Sequence, residues 1–353
     1  MASRLHLRPA HFVATPVGRP DGACARLAGG MQWYAAYDVL RDGRYAETVP
    51  VGAVADLGAA AISLHAAFTA PRPPLRCGER VLRFDQPLVA GILNVTPDSF
   101  SDGGAHDGDP AAAAAAGVGM AAAGAALIDL GGESTRPGAE PVWEGDEIAR
   151  VLPVVHRLAM SGTLVSVDTR KSGVMEAALG AGAAIVNDVS ALLWDPRALE
   201  VVVRAQCPVI LMHSPDPQAG GHGRVAYRNV ATDVFDWLEA QIAAVAAAGV
   251  DRSRILIDPG IGFGKSLADN LALLNDLAML HGLGCPIMLG ASRKRLIGAL
   301  SNEAPVEERL GGSIALALRG LEAGVQILRV HDVAETVQAM RVWRGLRDRA
   351  LAG

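Results

Sequence analysis

Short apolar runs recur along this chain at regular spacing, with stretches of helical character between them. The runs are Leu88–Val95, Leu127–Gly131, Leu164–Thr169, Ala184–Val189, Pro208–Met212, Ile255–Pro259, Pro286–Ala291 and Val325–Val330. They are near-continuous Val, Ile, Leu and Ala, not alternating, which marks strands buried on both faces of a parallel sheet. The helical stretches are Pro110–Ala126, Glu144–Met160, Ser172–Ala181, Pro196–Ala205, Val230–Ala248, Leu267–Leu280, Val306–Ala323 and Ala334–Leu351. Asp109 before Pro110 makes an N-terminal cap, and Gly182, Gly249 and Gly324 stand where helices close. This alternation predicts an α/β fold, a (β/α)8 TIM barrel, whose chemistry gathers at the C-terminal ends of its strands. At or near the ends of the runs stand Asn94, Glu133, Asp168, Asn187, His213, Asp258, Ser292 and His331.

The chain of 353 residues is longer than one barrel needs, and the surplus lies before residue 88. Residues 1–76 hold Trp33, Tyr34, Tyr37 and Tyr45 and short alternating pieces at Met31–Leu40 and Arg44–Ala53. They read as an N-terminal α+β extension of unknown role, a structural brace by default, with residues 77–353 as the barrel domain. Pro71-Arg72-Pro73-Pro74 is the expected joint. Arg80–Phe84 reads as a hairpin plugging the barrel's floor. The long connections Asn94–Asp109, Gly132–Trp143 and His213–Asn229 are candidate lids.

Composition narrows the class. A net charge of −5 and a pI near 6.0 speak against nucleic acid or an anionic membrane surface as partner. Cys24, Cys77, Cys207 and Cys285 form no C-x-x-C pair, and the start of the chain lacks a charged segment followed by an apolar one. A cytoplasmic protein with reduced thiols is expected. Ala111–Ile128 carries no charge, but Ala and Gly transfer weakly to lipid, so it reads as a soluble helix. Only Lys171, Lys265 and Lys294 supply lysine among 32 Lys plus Arg, which hints that Arg would not serve at those places.

The candidate chemistry lies in five stretches. Asn94-Val-Thr-Pro-Asp-Ser-Phe-Ser-Asp-Gly-Gly104 is oxygen-rich, as a hard cation such as Mg²⁺ requires, and its Phe100 can stack on a flat substrate. Gly131-Gly-Glu-Ser-Thr-Arg-Pro-Gly138 sets Arg136 among hydroxyls, an oxyanion clamp or an ordinary surface charge. Asp168, Asn187 and Asp258 are polar residues inside apolar strands, which is unfavourable unless they are paired or needed. At equivalent strand ends they would line one pocket, offer acceptors to a donor-rich heterocycle and stabilise developing positive charge. Asp258-Pro-Gly-Ile-Gly-Phe-Gly-Lys-Ser266 misses the phosphate-loop pattern because Pro259 stands where its first Gly belongs. Its glycines instead let a planar ring approach near Phe263. Gly290-Ala-Ser-Arg-Lys-Arg295 and Arg329-Val-His-Asp332 follow the seventh and eighth strands, where barrels often hold phosphate. Arg329 and His331, two apart, share a face.

Together these blocks, in this order, resemble the dihydropteroate synthase family, the pterin-binding barrels of folate biosynthesis, over about residues 80–345. The resemblance implies condensation of 4-aminobenzoate with (7,8-dihydropterin-6-yl)methyl diphosphate. It implies pterin binding by Asp168, Asn187, Met212, Asp258, Phe263, Gly290 and Lys294, and diphosphate binding by Thr135, Arg136, Arg329 and His331. Aminobenzoate would meet Phe100, Pro137 and Ser292, and Asn94 and Asp102 match positions associated with Mg²⁺. Asp168, Lys294 and Arg329 are the residues expected to carry catalysis. A homodimer is implied as well. Ser214–Gly221 departs from the family pattern, and residues before 76 have no counterpart in its shorter members. Competing readings are a pterin-dependent methyltransferase, which needs neither the Asn94–Gly104 run nor the Arg-x-His pair, and a non-catalytic pterin-binding paralogue, which would be expected to have lost Asn94, Arg136, Lys294 or Arg329.

Overall fold

The aromatic residues near the start build a small sheet. The computed structural model describes residues 4–96, 109–134, 141–218, 223 and 225–352. In it β3 (Trp33–Arg41) pairs antiparallel with β1 (Leu5–Val13) on one side and with β2 (Ala25–Arg26) and β4 (Arg44–Pro50) on the other. Tyr34 and Tyr37 are fully buried, their phenols bonded to each other, and the Tyr37 hydroxyl meets His65 Nδ1 at 2.8 Å on α1 (Ala59–Thr69). Val51–Leu57 forms a 3-10 turn where the sequence suggests a strand continuing to Ala53.

This sheet docks on the barrel by charge and by apolar contact. Arg4 pairs with Asp236 at 3.0 Å and Glu239 at 2.5 Å, and His6 Nε2 meets Asp236 at 2.8 Å. Arg8 bridges Asp38, at 2.7 Å, to Asp276. Arg72, in the Pro-rich joint, is buried and donates to the His281 carbonyl at 2.7 Å. The hairpin of β5 (Leu75–Cys77) and β6 (Arg80–Leu82) follows. Leu75, Cys77, Leu82 and Phe84 cluster with Ala90, Leu127, Leu164, Ile185, Ile210, Leu256, Met288 and Ile327 at the N-terminal ends of the barrel strands. The expected floor plug is present, but its hairpin spans Leu75–Leu82 and not Arg80–Phe84, because Leu75 pairs with Leu82 and both are buried under the strands; each large apolar side chain contributes about 1.5–3 kcal/mol by burial.

Eight parallel strands form the barrel. They are β7 (Leu88–Asn94), β8 (Leu127–Gly131), β9 (Val165–Asp168), β10 (Ile185–Asp188), β11 (Val209–Met212), β12 (Ile255–Asp258), β13 (Met288–Leu289) and β14 (Ile327–Val330), in sheet order β12-β11-β10-β9-β8-β7-β14-β13. A parallel bridge between Ile257 and Ile287 brings the two edges together. The helices are α2 (Pro110–Ala123), α3 (Glu144–Met160), α4 (Ser172–Gly180), α5 (Ala198–Ala205), α6 (Val230–Ala247), α7 (Leu267–Asn275), α8 (Arg295–Leu300), α9 (Leu310–Glu322) and α10 (Val333–Ala352). Asp109 caps α2, accepting from the Ala111 N–H at 2.8 Å, and no described helix is long and apolar enough to cross a membrane.

Three helical expectations need correction. Leu267–Leu280 breaks at Asn275 into α7 and a 3-10 segment, Leu277–Leu283, because Asp276 is drawn out to Arg8 and the following residues are buried against the extension. Val306–Ala323 becomes a 3-10 turn and then α9, with the separate short helix α8 before it. Arg309, between these two, spends its side chain on the carbonyls of Ala304 and Arg293. α5 starts at Ala198, after a turn in which Asp195 accepts the Arg197 N–H.

Candidate active site

Strand register brings the buried polar residues together. Asp168 lies opposite Gly131 on one side and Asn187 on the other, and Met212 lies opposite Asp258. Arg329, on β14, reaches across the mouth. Its Nε donates to Asp129 Oδ2 and its Nη2 to Asp168 Oδ2, both at 2.5 Å. Asn187 Nδ2 donates to the same Asp129 oxygen at 3.0 Å. Asp129 Oδ1 and Asp168 Oδ1 are buried without a hydrogen-bond partner among the described residues. Two carboxylate oxygens are thus left as acceptors in a mouth already crossed by one guanidinium, an arrangement that suits a ligand rich in N–H donors.

Glycines keep the other walls close. A side chain at Gly290 would begin 3.4 Å from Asp258 Oδ2 and 3.7 Å from Arg329 Cδ, so Asp258 and Arg329 flank one gap. One at Gly131 would begin 3.4 Å from Asn94 Oδ1 and 3.7 Å from Asp168 Cβ, which sets Asn94 beside the acids. Lys294 donates to the Ile261 carbonyl, and its ammonium sits 4.3 Å from the centroid of the Phe263 ring. Phe263, Met212 and Val189 form a separate apolar cluster. Ser292 Oγ meets His331 Nδ1 at 3.0 Å, and Arg293 pairs with Asp332 at 2.5 Å, tying the loops after β13 and β14 together.

Burial dominates the electrostatics of the two acids and of Lys294. It pushes Asp168 up against the pull of Arg329, with the Asp129 charge adding to the rise. It pushes Asp258 up against Lys294. It brings Lys294 down to about 8, while Asp258 pulls the other way. For Arg329 the carboxylates outweigh desolvation, and its pKa is raised. A charged Arg between a pair of acids, with Lys294 nearby, makes the mouth polar and preorganised.

Sequence reasoning misses Asp129, although its signal is the one its neighbours give, a carboxylate inside the apolar run Leu-Ile-Asp-Leu. A second charged group lies beside the mouth. Lys171 pairs with Glu147 at 2.6 Å and Glu133 at 3.1 Å, Arg170 pairs with Glu133 at 3.2 Å, and the Val142 N–H donates to Glu133 Oε1 at 2.9 Å. All three lysines prove to be held in polar contacts at the strand ends or the loops beyond them. Phe100, Asp102, Thr135, Arg136 and Pro137 lie outside the described residues, as do parts of the three candidate lids.

Among the described residues no group of three or more His, Cys, Asp or Glu could hold a metal. Asn94 offers one amide oxygen at the rim, which fits a Mg²⁺ that keeps its waters and binds mainly through substrate phosphates better than a cage built by protein alone.

A family model described as pterin binding enzyme matches residues 90–331, so fold and mouth together define a pterin-binding barrel enzyme. Dihydropteroate synthase of Escherichia coli K12 is 45% identical over 262 residues, 74% of this chain and 92% of that relative. The solved Xanthomonas albilineans dihydropteroate synthase with 4-aminobenzoic acid is 48% identical, with a TM-score of 0.73 over 78% of this chain and 98% of that one. The same enzyme in complex with 7,8-dihydropteroate gives 46% and 0.70 over 78% and 99%. The chain belongs to the dihydropteroate synthase family of transferases.

Proposed function

We propose that this protein joins 4-aminobenzoate to (7,8-dihydropterin-6-yl)methyl diphosphate, giving 7,8-dihydropteroate and diphosphate. The observation that carries the reading is the pair of buried, unpartnered oxygens of Asp129 and Asp168, set beside Asn187 and Asp258 at one barrel mouth. In this reading Asp168, Asn187 and Asp258 take the N–H edge of the pterin, Met212 and Phe263 pack on its faces, and Gly290 leaves room for the ring. Lys294 donates to the ring's oxygen and nitrogen acceptors.

The diphosphate points toward Arg329, Ser292 and His331, with Thr135 and Arg136. The C–O bond to the diphosphate breaks and its electron pair leaves with the phosphate oxygen. The acids stabilise the positive charge spread over the pterin and its methylene. The arylamine nitrogen, guided by Phe100, Pro137 and Ser292, forms the new C–N bond and then loses a proton. Asn94 and Asp102 would hold a Mg²⁺ together with the substrate phosphates, and the ion would neutralise charge on the leaving group. No side-chain nucleophile is needed.

Assembly as a homodimer belongs to the same reading; Val342 and Leu346, exposed on α10, are apolar side chains such an interface would cover. A reducing, cytoplasmic setting is supported by free Cys24, Cys77, Cys207 and Cys285. Asn94, Lys294 and Arg329 all stand at the mouth, which favours an active enzyme over a non-catalytic paralogue. Purified protein given both substrates and Mg²⁺ should release diphosphate and form dihydropteroate; a substrate-dependent rate no greater than the blank would refute the assignment.

A further inference from the structure

Lys265 closes the glycine loop after β12, and its ammonium meets only backbone carbonyls and His213, not the side chains assigned to substrate. Its Nζ donates to the carbonyls of Gly260 at 2.8 Å and Phe263 at 3.3 Å and meets His213 Nδ1 at 3.0 Å. Burial and the neighbouring ammonium bring His213 down to about 2, so its ring is neutral and Nδ1 can accept. Three acceptors converge on one point. A compact ammonium with three N–H donors satisfies them, and the wide fork of a guanidinium does not.

The loop needs such a tie. Gly260, Gly262 and Gly264 have φ of +68°, +84° and +59°, and glycines carry little preference for one conformation. A Cβ at Gly260 would stand 2.0 Å from the His213 carbonyl oxygen, so the loop lies hard against the segment that follows β11. Asn270 adds a second tie, accepting the Gly262 N–H at 2.7 Å and donating to the Lys265 carbonyl at 3.2 Å. The opposite face of the same loop carries Phe263, and the Ile261 carbonyl that receives Lys294.

We propose that Lys265 is a positioning residue for the pterin face: an internal hydrogen-bond donor around which residues 258–265 fold, so that Phe263 and Ile261 set the ring-packing surface and the place of Lys294. This rests on the pterin-binding reading above. It also accounts for lysine at a position where the chain's usual arginine would not fit.

The test compares Lys265→Met and Lys265→Gln with the unsubstituted protein. Fluorescence titration with a free pterin lacking the diphosphate gives Kd, and steady-state kinetics give KM for each substrate. A misplaced loop should raise the free-pterin Kd and the KM for the pterin diphosphate about 10- to 100-fold. The KM for 4-aminobenzoate should move less than about 3-fold. In a Phe263→Ala background Lys265→Met should add less than about 3-fold to Kd, because residues that act through one another do not add. Unchanged pterin binding, additive effects, or equal rises in both KM values alongside a lowered melting temperature would each overturn the role. Lys265→Gln keeps amide donors and carries the same readings if Lys265→Met does not fold. Failure of the unsubstituted protein to bind pterin would overturn the functional reading itself, and this role with it.

Discussion

Replacing Asp129 with Asn removes one negative charge from the point where Arg329 and Asn187 meet. One oxygen, Asp129 Oδ2, takes both the Arg329 Nε–H at 2.5 Å and the Asn187 Nδ2–H at 3.0 Å. If the new amide turns its oxygen to this point, both bonds are kept without the charge; turned the other way, it sets N–H against N–H. Removing one member of a buried ion pair costs about 3–5 kcal/mol, but Arg329 keeps Asp168, so only the worth of one strong charge-assisted bond applies, about 2–3 kcal/mol. If the loss falls on transition-state stabilisation, kcat/KM for the pterin diphosphate drops roughly 30- to 150-fold. The comparison is Asp188→Asn. Asp188 is also fully buried, but its carboxylate accepts from the Ser190 and Leu192 N–H groups at 2.7 and 3.0 Å, while Arg329 bonds Asp129 and Asp168. Asp188→Asn should lower the melting temperature and leave the pterin KM within about 3-fold. Steady-state kinetics with diphosphate detection, paired with thermal melts, separate the two variants. Wild-type kcat/KM in Asp129→Asn, or the same kinetic loss in Asp188→Asn, would rule out a catalytic role for the Asp129–Arg329 contact.

Lys171→Met should destabilise the fold by about 3–5 kcal/mol in denaturant melts, because Glu147, with a side chain 0% exposed, loses its 2.6 Å partner. Adding Glu147→Gln should restore most of that loss; a double variant no better than the single would contradict the pairing. Phe68→Ala, in the extension against Gly282, should cost about 3–5 kcal/mol and lower a single thermal transition. Two separate transitions would show that the extension does not brace the barrel. Lys294 loses its charge as pH rises through about 8, so pterin affinity should fall on that limb, and the fall should be absent in Lys294→Met. An identical alkaline limb in both proteins would exclude Lys294 as its source.

Much of the site is legible because a parallel barrel leaves a plain record. Its strands are buried on both faces, so a polar residue such as Asp168, Asn187 or Asp258 stands out in an apolar run, and the fold fixes which end it occupies. Asp129 obeys the same rule, but along the chain it reads first as the charge that closes an Ala-rich stretch. The partners of Arg329 are not legible: its bonds to Asp129 and Asp168 span 200 and 161 residues, and only strand register reveals them. The break after Asn275 is hidden for a similar reason, since its cause is Arg8, 268 residues upstream. The hint drawn from lysine scarcity gains content, because Lys171, Lys265 and Lys294 each meet acceptors or a ring at short range.

Residues scattered from Asn94 to His331 form one mouth, acidic toward a flat ring and cationic toward its tail. A crystal soaked with the pterin diphosphate tests it most directly. The ring's N–H edge should lie on Asp168, Asn187 and Asp258, with the diphosphate directed to Arg329 and the Ser292–His331 pair. Density for the ring at any other place, or with its tail turned away from Arg329, would contradict it.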